Sequence, residues 1–226
     1  MGRLERVREV RERLLSGGTV VTPDGERREL TPIAVGPAEG AALRDWVRRE
    51  GARRTLEVGL GFAISALFVC EGLLENGGDV RHVAVDAYQF ESLPGHRTLY
   101  GGVGVAILEE AGVRDLVELH VERSETALPR LLAEGRTFDL AFVDGNHRFE
   151  GVFLDLVYCG KLLEPGSVVF ADDMQLTSVR RATGFCVSNL GWRVEDEGRE
   201  GGHQWVVLRT GSPDAFHRPF DRFVDF

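Results

Sequence analysis

Apolar residues follow one period near the start of the chain and another beyond residue 53. Near the start they recur every three or four positions among Arg and Glu, at Leu4, Val7, Val10 and Leu14. This spacing predicts an amphipathic helix that ends at the glycines after Ser16. Residues 19–40 are predicted to be irregular, with a turn at Pro23-Asp24-Gly25, and a second helix is predicted over residues 37–49.

Beyond residue 53, short continuous apolar runs alternate with helical segments. Strands are predicted at 55–58, 82–85, 117–121, 140–143, 168–171 and 205–208, with helices near 63–75, 101–112, 124–134 and 149–163. Continuous apolar runs separated by helices are typical of parallel strands that are buried on both faces. A last pair of strands, near 192–195 and 204–209, is predicted to form an antiparallel hairpin around the acidic sequence EDEGREGG.

The pattern therefore predicts an α/β fold with a doubly wound, mostly parallel, seven-stranded sheet of the Rossmann-like type. An antiparallel C-terminal hairpin and an N-terminal helical extension complete it. We expect residues 1–40 to form the extension, which caps a substrate or contacts a second subunit. Residues 41–210 are expected to form the main domain, and residues 211–226 an aromatic tail.

Composition narrows the class of protein. With 226 residues, 43% hydrophobic and 28% charged, the chain suits one domain with a sizeable core. Its net charge of −9 argues against a nucleic-acid partner. Three cysteines without paired spacing favour a reducing compartment. Because no apolar run is long enough for a bilayer and the N-terminus lacks a secretory h-region, a cytoplasmic protein without a membrane partner is expected.

Acidic side chains lie at the carboxyl ends of five successive predicted strands. They are Glu57, Asp86, Glu122, Asp144 and the pair Asp172-Asp173. In an open parallel sheet, ligands bind in the crevice beyond the carboxyl ends of the strands. The sequence therefore predicts its functional site along this edge.

A glycine-rich loop follows the first of these strands. Gly59 and Gly61 allow a tight turn and a close approach of the backbone to a ligand. A nicotinamide-dinucleotide fingerprint needs a third small residue at position 64, where this chain has Ile64. A NAD-dependent oxidoreductase is therefore the less favoured alternative.

An acid followed by a G-x-G loop resembles the first motif of class I S-adenosylmethionine (SAM) methyltransferases. The resemblance implies that Glu57, Gly59 and Gly61 belong to the SAM site and that Asp86 binds the ribose hydroxyls. By position, Glu122 and Ser124 would flank the adenine. A plain helix start is an equal interpretation of those two residues, because Ser124 begins a helix well by itself.

Three aspartates end neighbouring strands of the predicted sheet. Asp144, Asp172 and Asp173 would repel one another strongly without a cation among them. Ligands that are all oxygen favour a hard divalent ion such as Mg²⁺. The alternative is a polar strand end that caps the next helix.

Residues 33–175 resemble the metal-dependent small-molecule O-methyltransferases. These include the catechol and caffeoyl-CoA type and the branch that acts on sugar hydroxyls in antibiotic pathways. The shared pattern is an acid that ends one strand and Asp-Asp or Asp-Asn that ends the next, here Asp144 and Asp172-Asp173. His147 stands where the catechol type has Lys, and Asn146 where the sugar branch often has an acid.

The resemblance implies that residues 41–210 transfer a methyl group from SAM to a hydroxyl of a small molecule with the help of a divalent cation. Asp144 would take part in catalysis, and His147, with an ordinary pKa near ~6.5, would accept the proton. A metal-independent O- or N-methyltransferase that uses His147 as its base, and a SAM-binding protein without catalysis, remain alternatives. The sequence leaves the oligomeric state open, with a homodimer or larger homo-oligomer as candidates.

Overall fold

The computed structural model describes residues 2–23, 25–90, 100–219 and 221–226. Its strands are β1 (Thr19–Val21), β2 (Arg27–Glu29), β3 (Arg54–Val58), β4 (Arg81–Val85), β5 (Val117–His120), β6 (Phe138–Val143), β7 (Leu163–Ala171), β8 (Arg193–Glu200) and β9 (His203–Arg209). Its α-helices are α1 (Arg3–Gly17), α2 (Pro37–Arg49), α3 (Ile64–Asn76), α4 (Val103–Glu110), α5 (Ser124–Ala133), α6 (Phe149–Leu162) and α7 (Thr177–Leu190).

Seven of the strands form one sheet in the order β5-β4-β3-β6-β7-β9-β8. The five from β3 to β7 are parallel, and β9 pairs antiparallel with both β7 and β8. The predicted fold class, with its C-terminal hairpin and N-terminal helix, is confirmed. The strand order reverses between β3 and β6, and this switch point is where open α/β sheets bind ligands.

Helices cover both faces of the sheet, which explains the continuous apolar runs. In β6, Leu140 and Phe142 belong to one core cluster, while Ala141 and Val143 belong to the other. The apolar sides of α1 to α4 complete the first cluster, and those of α5 to α7 complete the second. Because both side-chain directions of a strand are buried, the strand has no polar face.

Three features of the fold differ from the sequence-based expectations. The acidic stretch predicted to be a hairpin turn lies in β8, and the turn itself is Gly201-Gly202. As the edge strand, β8 exposes most of its side chains, so charged residues are tolerated there. The segment predicted to be irregular contains the short antiparallel pair β1–β2. The helix α7 is an element that the apolar pattern did not reveal.

The N-terminal helix is attached to the main body through a buried carboxylate. Glu71 of α3 is 2% exposed and accepts a hydrogen bond from Arg8 Nε at 2.7 Å. Arg11, also in α1, forms a second ion pair with Glu71. Among the described residues, no helix is long and apolar enough to cross a membrane.

Candidate active site

A cavity of about 710 Å³ lies beyond the carboxyl ends of β3, β4, β6 and β7. It is lined by most of the residues that the sequence analysis assigned to a site: Gly59, Gly61, Asp86, Glu122, Ser124, Asp144, His147, Asp172 and Asp173. Residues predicted to bind a nucleoside and residues predicted to bind a metal therefore share one cavity. Of the assigned residues, Glu57 is absent from its walls.

Gly59 holds the glycine-rich loop against the end of β6. Its φ is 96°, in the region that favours glycine, and a Cβ atom there would lie 2.0 Å from the carbonyl oxygen of Asp144. No side chain fits in that space. Gly61 also has a positive φ, of 51°, but a Cβ there would point toward the cavity, with Ile33 and Tyr100 as its nearest neighbours at 3.8 Å.

Asp86, at the end of β4, orders the same loop. Its Oδ2 accepts hydrogen bonds from the backbone amides of Leu60 at 3.1 Å and Gly61 at 2.9 Å, and from Gln89 Nε2 at 2.9 Å. Its Oδ1 accepts one further bond, from the amide of Tyr88 at 2.7 Å. Since each carboxylate oxygen has about two lone pairs, Oδ1 retains room for about one more donor.

Glu57 is fully buried and does not line the cavity. Its carboxylate accepts a hydrogen bond from Ser65 Oγ at the start of α3 and lies 2.9 Å from Nε2 of His82. The other ring nitrogen of His82 is 2.9 Å from Thr55 Oγ1. The structure thus places Glu57 in a buried polar network that joins β3, β4 and α3.

Glu122 and Ser124 lie at the far end of the cavity, after β5. Ser124 is the first residue of α5, and Glu122 forms an ion pair with Arg130 in the last turn of that helix. Both residues line the cavity. Their position is compatible both with the start of a helix and with contact to an adenine, and the two interpretations do not exclude each other.

A buried carboxylate lies near Ser124 and Gly145, behind the cavity wall. Asp155 of α6 is fully buried, and neither of its oxygens has a hydrogen-bond partner among the described residues by distance and angle. Burial raises the pKa of Asp155 to about 6, and the neighbouring Ser124 hydroxyl opposes that shift only in part. Compared with an exposed aspartate, Asp155 in the folded protein therefore keeps its proton up to a higher pH.

Replacing Asp155 with Asn is expected to flatten the pH dependence of stability. The folded-state pKa lies above that of the unfolded chain, so the wild-type protein loses up to about 3 kcal/mol of unfolding free energy between about pH 4 and pH 7. The Asp155→Asn variant should not show this loss. Urea titrations across that pH range measure it, with Glu150→Gln, an exposed carboxylate on the same helix, as the control. If the unfolding free energies of Asp155→Asn and of the wild type change in parallel with pH, the prediction is contradicted.

Asp144, Asp172 and Asp173 meet at the opposite end of the cavity. Asp144 directly follows β6, and the other two follow β7, its neighbour in the sheet. Asp173 has a φ of 59°, a conformation that Asp adopts more readily than most residues. Burial and the carboxylates of Asp172 and Asp173 raise the pKa of Asp144 to about 8. The carboxylates therefore lie close enough to destabilise one another's negative charge.

His147 bridges two of these carboxylates. Its Nε2 lies 2.7 Å from Asp173 Oδ2 and 3.6 Å from Asp144 Oδ1. Asp144 and Asp173 together raise the pKa of His147 to about 10, and the hydrogen bond from His147 lowers the pKa of Asp173 despite its burial. In this arrangement the imidazole ring of His147 is protonated, and its positive charge compensates negative charge on the neighbouring carboxylates.

Two residues near the acids were missed by the sequence analysis. His203, at the start of β9, has its Nδ1 3.8 Å from Asp173 Oδ1. Glu39, in the first turn of α2, is 1% exposed, and burial together with the carboxylates of Asp172, Asp144 and Asp173 raises its pKa to about 10. Neither residue follows a predicted strand, which was the signal that found the others.

The described acids and imidazoles form two overlapping groups with the donor types of a metal site. Asp144, His147 and Asp173 form one, and Asp172, Asp173 and His203 the other; within each, one donor atom per residue lies within 4.8 Å of the others. Asp173 belongs to both. Carboxylate oxygens with imidazole nitrogens suit a divalent cation.

Comparison with known proteins identifies the family. A family model described as a methyltransferase domain matches residues 56–174, which is more than half of the chain. The chain belongs to this family. The match begins in β3, just before the glycine-rich loop, and ends just after Asp172-Asp173, so it covers both ends of the cavity. The prediction of a class I SAM-dependent methyltransferase is confirmed, and the match gives no support to an oxidoreductase.

Solved structures share the fold of this methyltransferase. An O-methyltransferase from Bacillus cereus in complex with SAH has a TM-score of 0.68 and 18% identity, covering 91% of this chain and 90% of that one. TomG from Streptomyces achromogenes, involved in tomaymycin synthesis and solved with SAM, has a TM-score of 0.68 and 22% identity, covering 92% and 90%. At these identities the likeness establishes the fold. A search of curated protein sequences found no match.

Proposed function

We propose that this methyltransferase transfers a methyl group from SAM to a hydroxyl of a small molecule, a phenol, catechol or sugar, with the help of a divalent cation such as Mg²⁺. One observation carries the proposal: a single cavity is lined at one end by the glycine-rich loop and Asp86, and at the other by Asp144, Asp172 and Asp173. This arrangement would bring a nucleoside-linked methyl group and an acceptor oxygen together.

We assign the nucleoside end to SAM. Gly61 leaves room for the cofactor beside the loop, and the free capacity of Asp86 Oδ1 suits about one ribose hydroxyl. Glu122 and Ser124 would then flank the adenine. Solved proteins of the same fold with SAM or SAH bound support this assignment. We assign Glu57 a supporting role below the loop, because it does not reach the cavity.

We assign the acidic end to the divalent cation. Asp144, Asp172 and Asp173 would hold it. The donor types fit, because Asp173 belongs to both groups described above, one with Asp144 and the other with Asp172, and carboxylate oxygens suit a divalent cation. When bound, a divalent ion lowers the pKa of an alcohol or phenol and orients its oxygen.

His147 is proposed to accept the proton of the acceptor. Its side chain is about half exposed, lines the cavity and reaches both Asp144 and Asp173. Asp173 Oδ2 cannot hold His147 Nε2 and a cation equally well, so metal coordination by Asp173 would free Nε2 to face the acceptor. The cation would also replace the imidazolium as the counter-charge of the acids, which removes the cause of the raised pKa of His147 and leaves the ring neutral, as a proton acceptor must be. Ile33, Tyr88 and Tyr100 also line this cavity, beside the glycine-rich loop and Asp86. Aromatic walls suit a planar acceptor and also pack against sugar rings.

An activity assay with and without chelation tests the proposal. Purified protein is incubated with SAM and separate panels of catechols, phenols and sugars, and SAH formation is measured. We expect turnover with one hydroxylated class, its loss after exhaustive EDTA treatment and dialysis, and its recovery with Mg²⁺. Turnover that survives chelation would contradict the metal requirement and favour the metal-independent alternative with His147 as base. Tight SAM binding without turnover on any panel would support the non-catalytic alternative.

A biological role is proposed from one solved neighbour and from the sequence resemblance. TomG, which shares the fold, is involved in tomaymycin synthesis. A role of this methyltransferase in the biosynthesis of a specialised metabolite such as an antibiotic is proposed on that likeness and on the resemblance to sugar O-methyltransferases.

A further inference from the structure

The side-chain amide of Gln89 joins two parts of the nucleoside end of the cavity. Its Nε2 donates hydrogen bonds to the carbonyl oxygen of Gly61 at 2.7 Å and to Asp86 Oδ2 at 2.9 Å. Because carbonyl and carboxylate oxygens are acceptors, the group of the amide that faces both of them is the NH₂. One side chain therefore uses both of its N–H donors to tie the glycine-rich loop to the acid at the end of β4.

Packing alone does not account for an amide at this position. Gln89 is 0% exposed, and its Oε1 has no hydrogen-bond partner among the described residues. A buried polar atom without a partner destabilises a fold, so an apolar side chain of the same length would fill the space without that penalty. The placement of Gln89 therefore calls for a role of its N–H donors.

The neighbouring backbone holds Gln89 in place. Its own carbonyl oxygen accepts a hydrogen bond from the amide of Gly102 at 2.6 Å. In the first turn of α4, a Cβ atom on Gly104 would lie 2.7 Å from the carbonyl oxygen of Gly61 and 2.9 Å from Gln89 Oε1. Because glycine permits this close approach, the side-chain amide is held between the glycine-rich loop and α4.

Three donors around Asp86 Oδ2 fix the direction of the carboxylate. Besides Gln89, the amides of Leu60 and Gly61 donate to this oxygen, at 3.1 Å and 2.9 Å. An oxygen with about two lone pairs is then fully occupied, whereas Oδ1 accepts one bond, from the amide of Tyr88 at 2.7 Å. Asp86 lines the cavity and Gln89 does not, so Gln89 lies behind the acid and Oδ1 is the oxygen left for a ligand.

We infer that Gln89 is a positioning residue of the cofactor site, whose amide holds Asp86 with Oδ1 directed at a ribose hydroxyl of SAM. The inference rests on the proposed function for the assignment of Asp86 to the ribose, and it does not depend on the divalent cation. Its consequence is that Gln89 adds to the affinity for a nucleoside cofactor only when the ribose carries its hydroxyls.

Calorimetry with two ligands tests this inference on the full-length protein. The ligands are SAH and its dideoxy analogue, whose ribose lacks both hydroxyl groups. Gln89→Met keeps the length of the side chain and removes both donors, and Gln89→Leu is a second variant without a donor. Asn76→Leu is the matched control, because Asn76 at the far end of α3 also donates two hydrogen bonds, to the carbonyl oxygens of Val47 at 2.9 Å and Ala52 at 2.8 Å. Urea denaturation shows which variants fold.

The expected pattern separates positioning from packing. The wild type should bind SAH ~10–100-fold more tightly than the dideoxy analogue, because the analogue lacks a hydrogen bond to a charged group. Both Gln89 variants should bind SAH ~10-fold more weakly than the wild type, but the analogue less than about threefold more weakly. Asn76→Leu should keep the wild-type preference for SAH. A side chain that only fills space would affect both ligands alike.

The contrary outcomes distinguish this inference from the proposed function. An unchanged preference for SAH in the folded Gln89 variants shows that Gln89 does not position Asp86, and leaves the proposed function intact. Equal weakening of both ligands, or failure of both Gln89 variants to fold while Asn76→Leu folds, shows that Gln89 supports the fold instead. A wild type that binds both ligands equally refutes the assignment of Asp86 to the ribose, and one that binds no SAH refutes the proposed cofactor site; the inference falls with either.

Discussion

Replacing Asp172 with alanine is expected to lower the rate of methyl transfer at least ~100-fold, because the divalent cation loses a charged ligand and the acceptor oxygen loses its orientation. Asp172 lies at the acidic end of the cavity and is not among the residues around the glycine-rich loop. SAH affinity should therefore stay within about threefold of the wild-type value, since no nucleoside contact is removed. Steady-state kinetics with added Mg²⁺ and calorimetry with SAH measure the two quantities separately.

The control for this variant is Asp79→Ala. Asp79 is an exposed acid before β4, at the edge of the sheet opposite the cavity, and the same change of charge there should leave turnover unaffected. Normal turnover of Asp172→Ala would contradict the metal-dependent mechanism. Parallel loss of turnover and of SAH binding would show that Asp172 supports the fold of the whole cavity instead.

Replacing Gly59 with alanine is expected to destabilise the fold by about 3 kcal/mol or more, because two penalties combine. An alanine would be forced into the left-handed region at a φ of 96°, and its Cβ would collide with the carbonyl oxygen of Asp144 at 2.0 Å. That oxygen belongs to the backbone, so relief of the collision must move the end of β6 and Asp144, a proposed metal ligand. Urea denaturation measures the loss, and Mn²⁺ affinity should fall with it.

Gly191→Ala is the matched control for Gly59→Ala. Gly191 has a φ of 67° and a ψ of 24° at the end of α7, and nothing lies within 4 Å of the position of its Cβ atom. It therefore carries the penalty of the left-handed conformation alone, about 1 kcal/mol. Equal stability of the two variants would show that the loop moves away from β6 at little energetic cost, which would contradict the close packing described here.

The main features of the fold and the location of the site could be predicted from local sequence. Continuous apolar runs between helical segments indicate strands buried on both sides, and β6 confirms this with alternate residues in opposite core clusters. Because parallel strands end at the same edge, acids at successive strand ends meet, as Asp144 and Asp172-Asp173 do across β6 and β7. Strand-end position alone was enough to find these residues.

Other parts of the site depend on tertiary packing and left no local signal. Glu39 has the sequence appearance of an ordinary acid in the first turn of a helix, where the helix dipole favours negative charge. Its burial beside Asp172 arises from the close approach of α2 that Gly36 and Gly40 permit. His203 approaches Asp173 only because β9 runs antiparallel beside β7.

The roles of individual residues within a motif could not be predicted from the sequence either. Glu57 and Asp86 both end strands, yet Glu57 turns into a buried network with Ser65 and His82 while Asp86 lines the cavity. The alternation of side chains along a strand decides between the two directions, and a shift of one residue reverses it. The acidic part of β8 was predicted to be a turn, because an edge strand exposed to solvent lacks the apolar run that marks a buried strand.

A crystal of the protein soaked with SAH and Mn²⁺ tests the central claim most directly, because anomalous scattering locates the ion without assumptions about its ligands. We predict one peak within about 2.0–2.4 Å of carboxylate oxygens from Asp144, Asp172 and Asp173, with SAH against the glycine-rich loop. His147 Nε2 should then have moved away from Asp173. Bound SAH with no peak among these aspartates, and with His147 still bridging Asp144 and Asp173, would contradict the account.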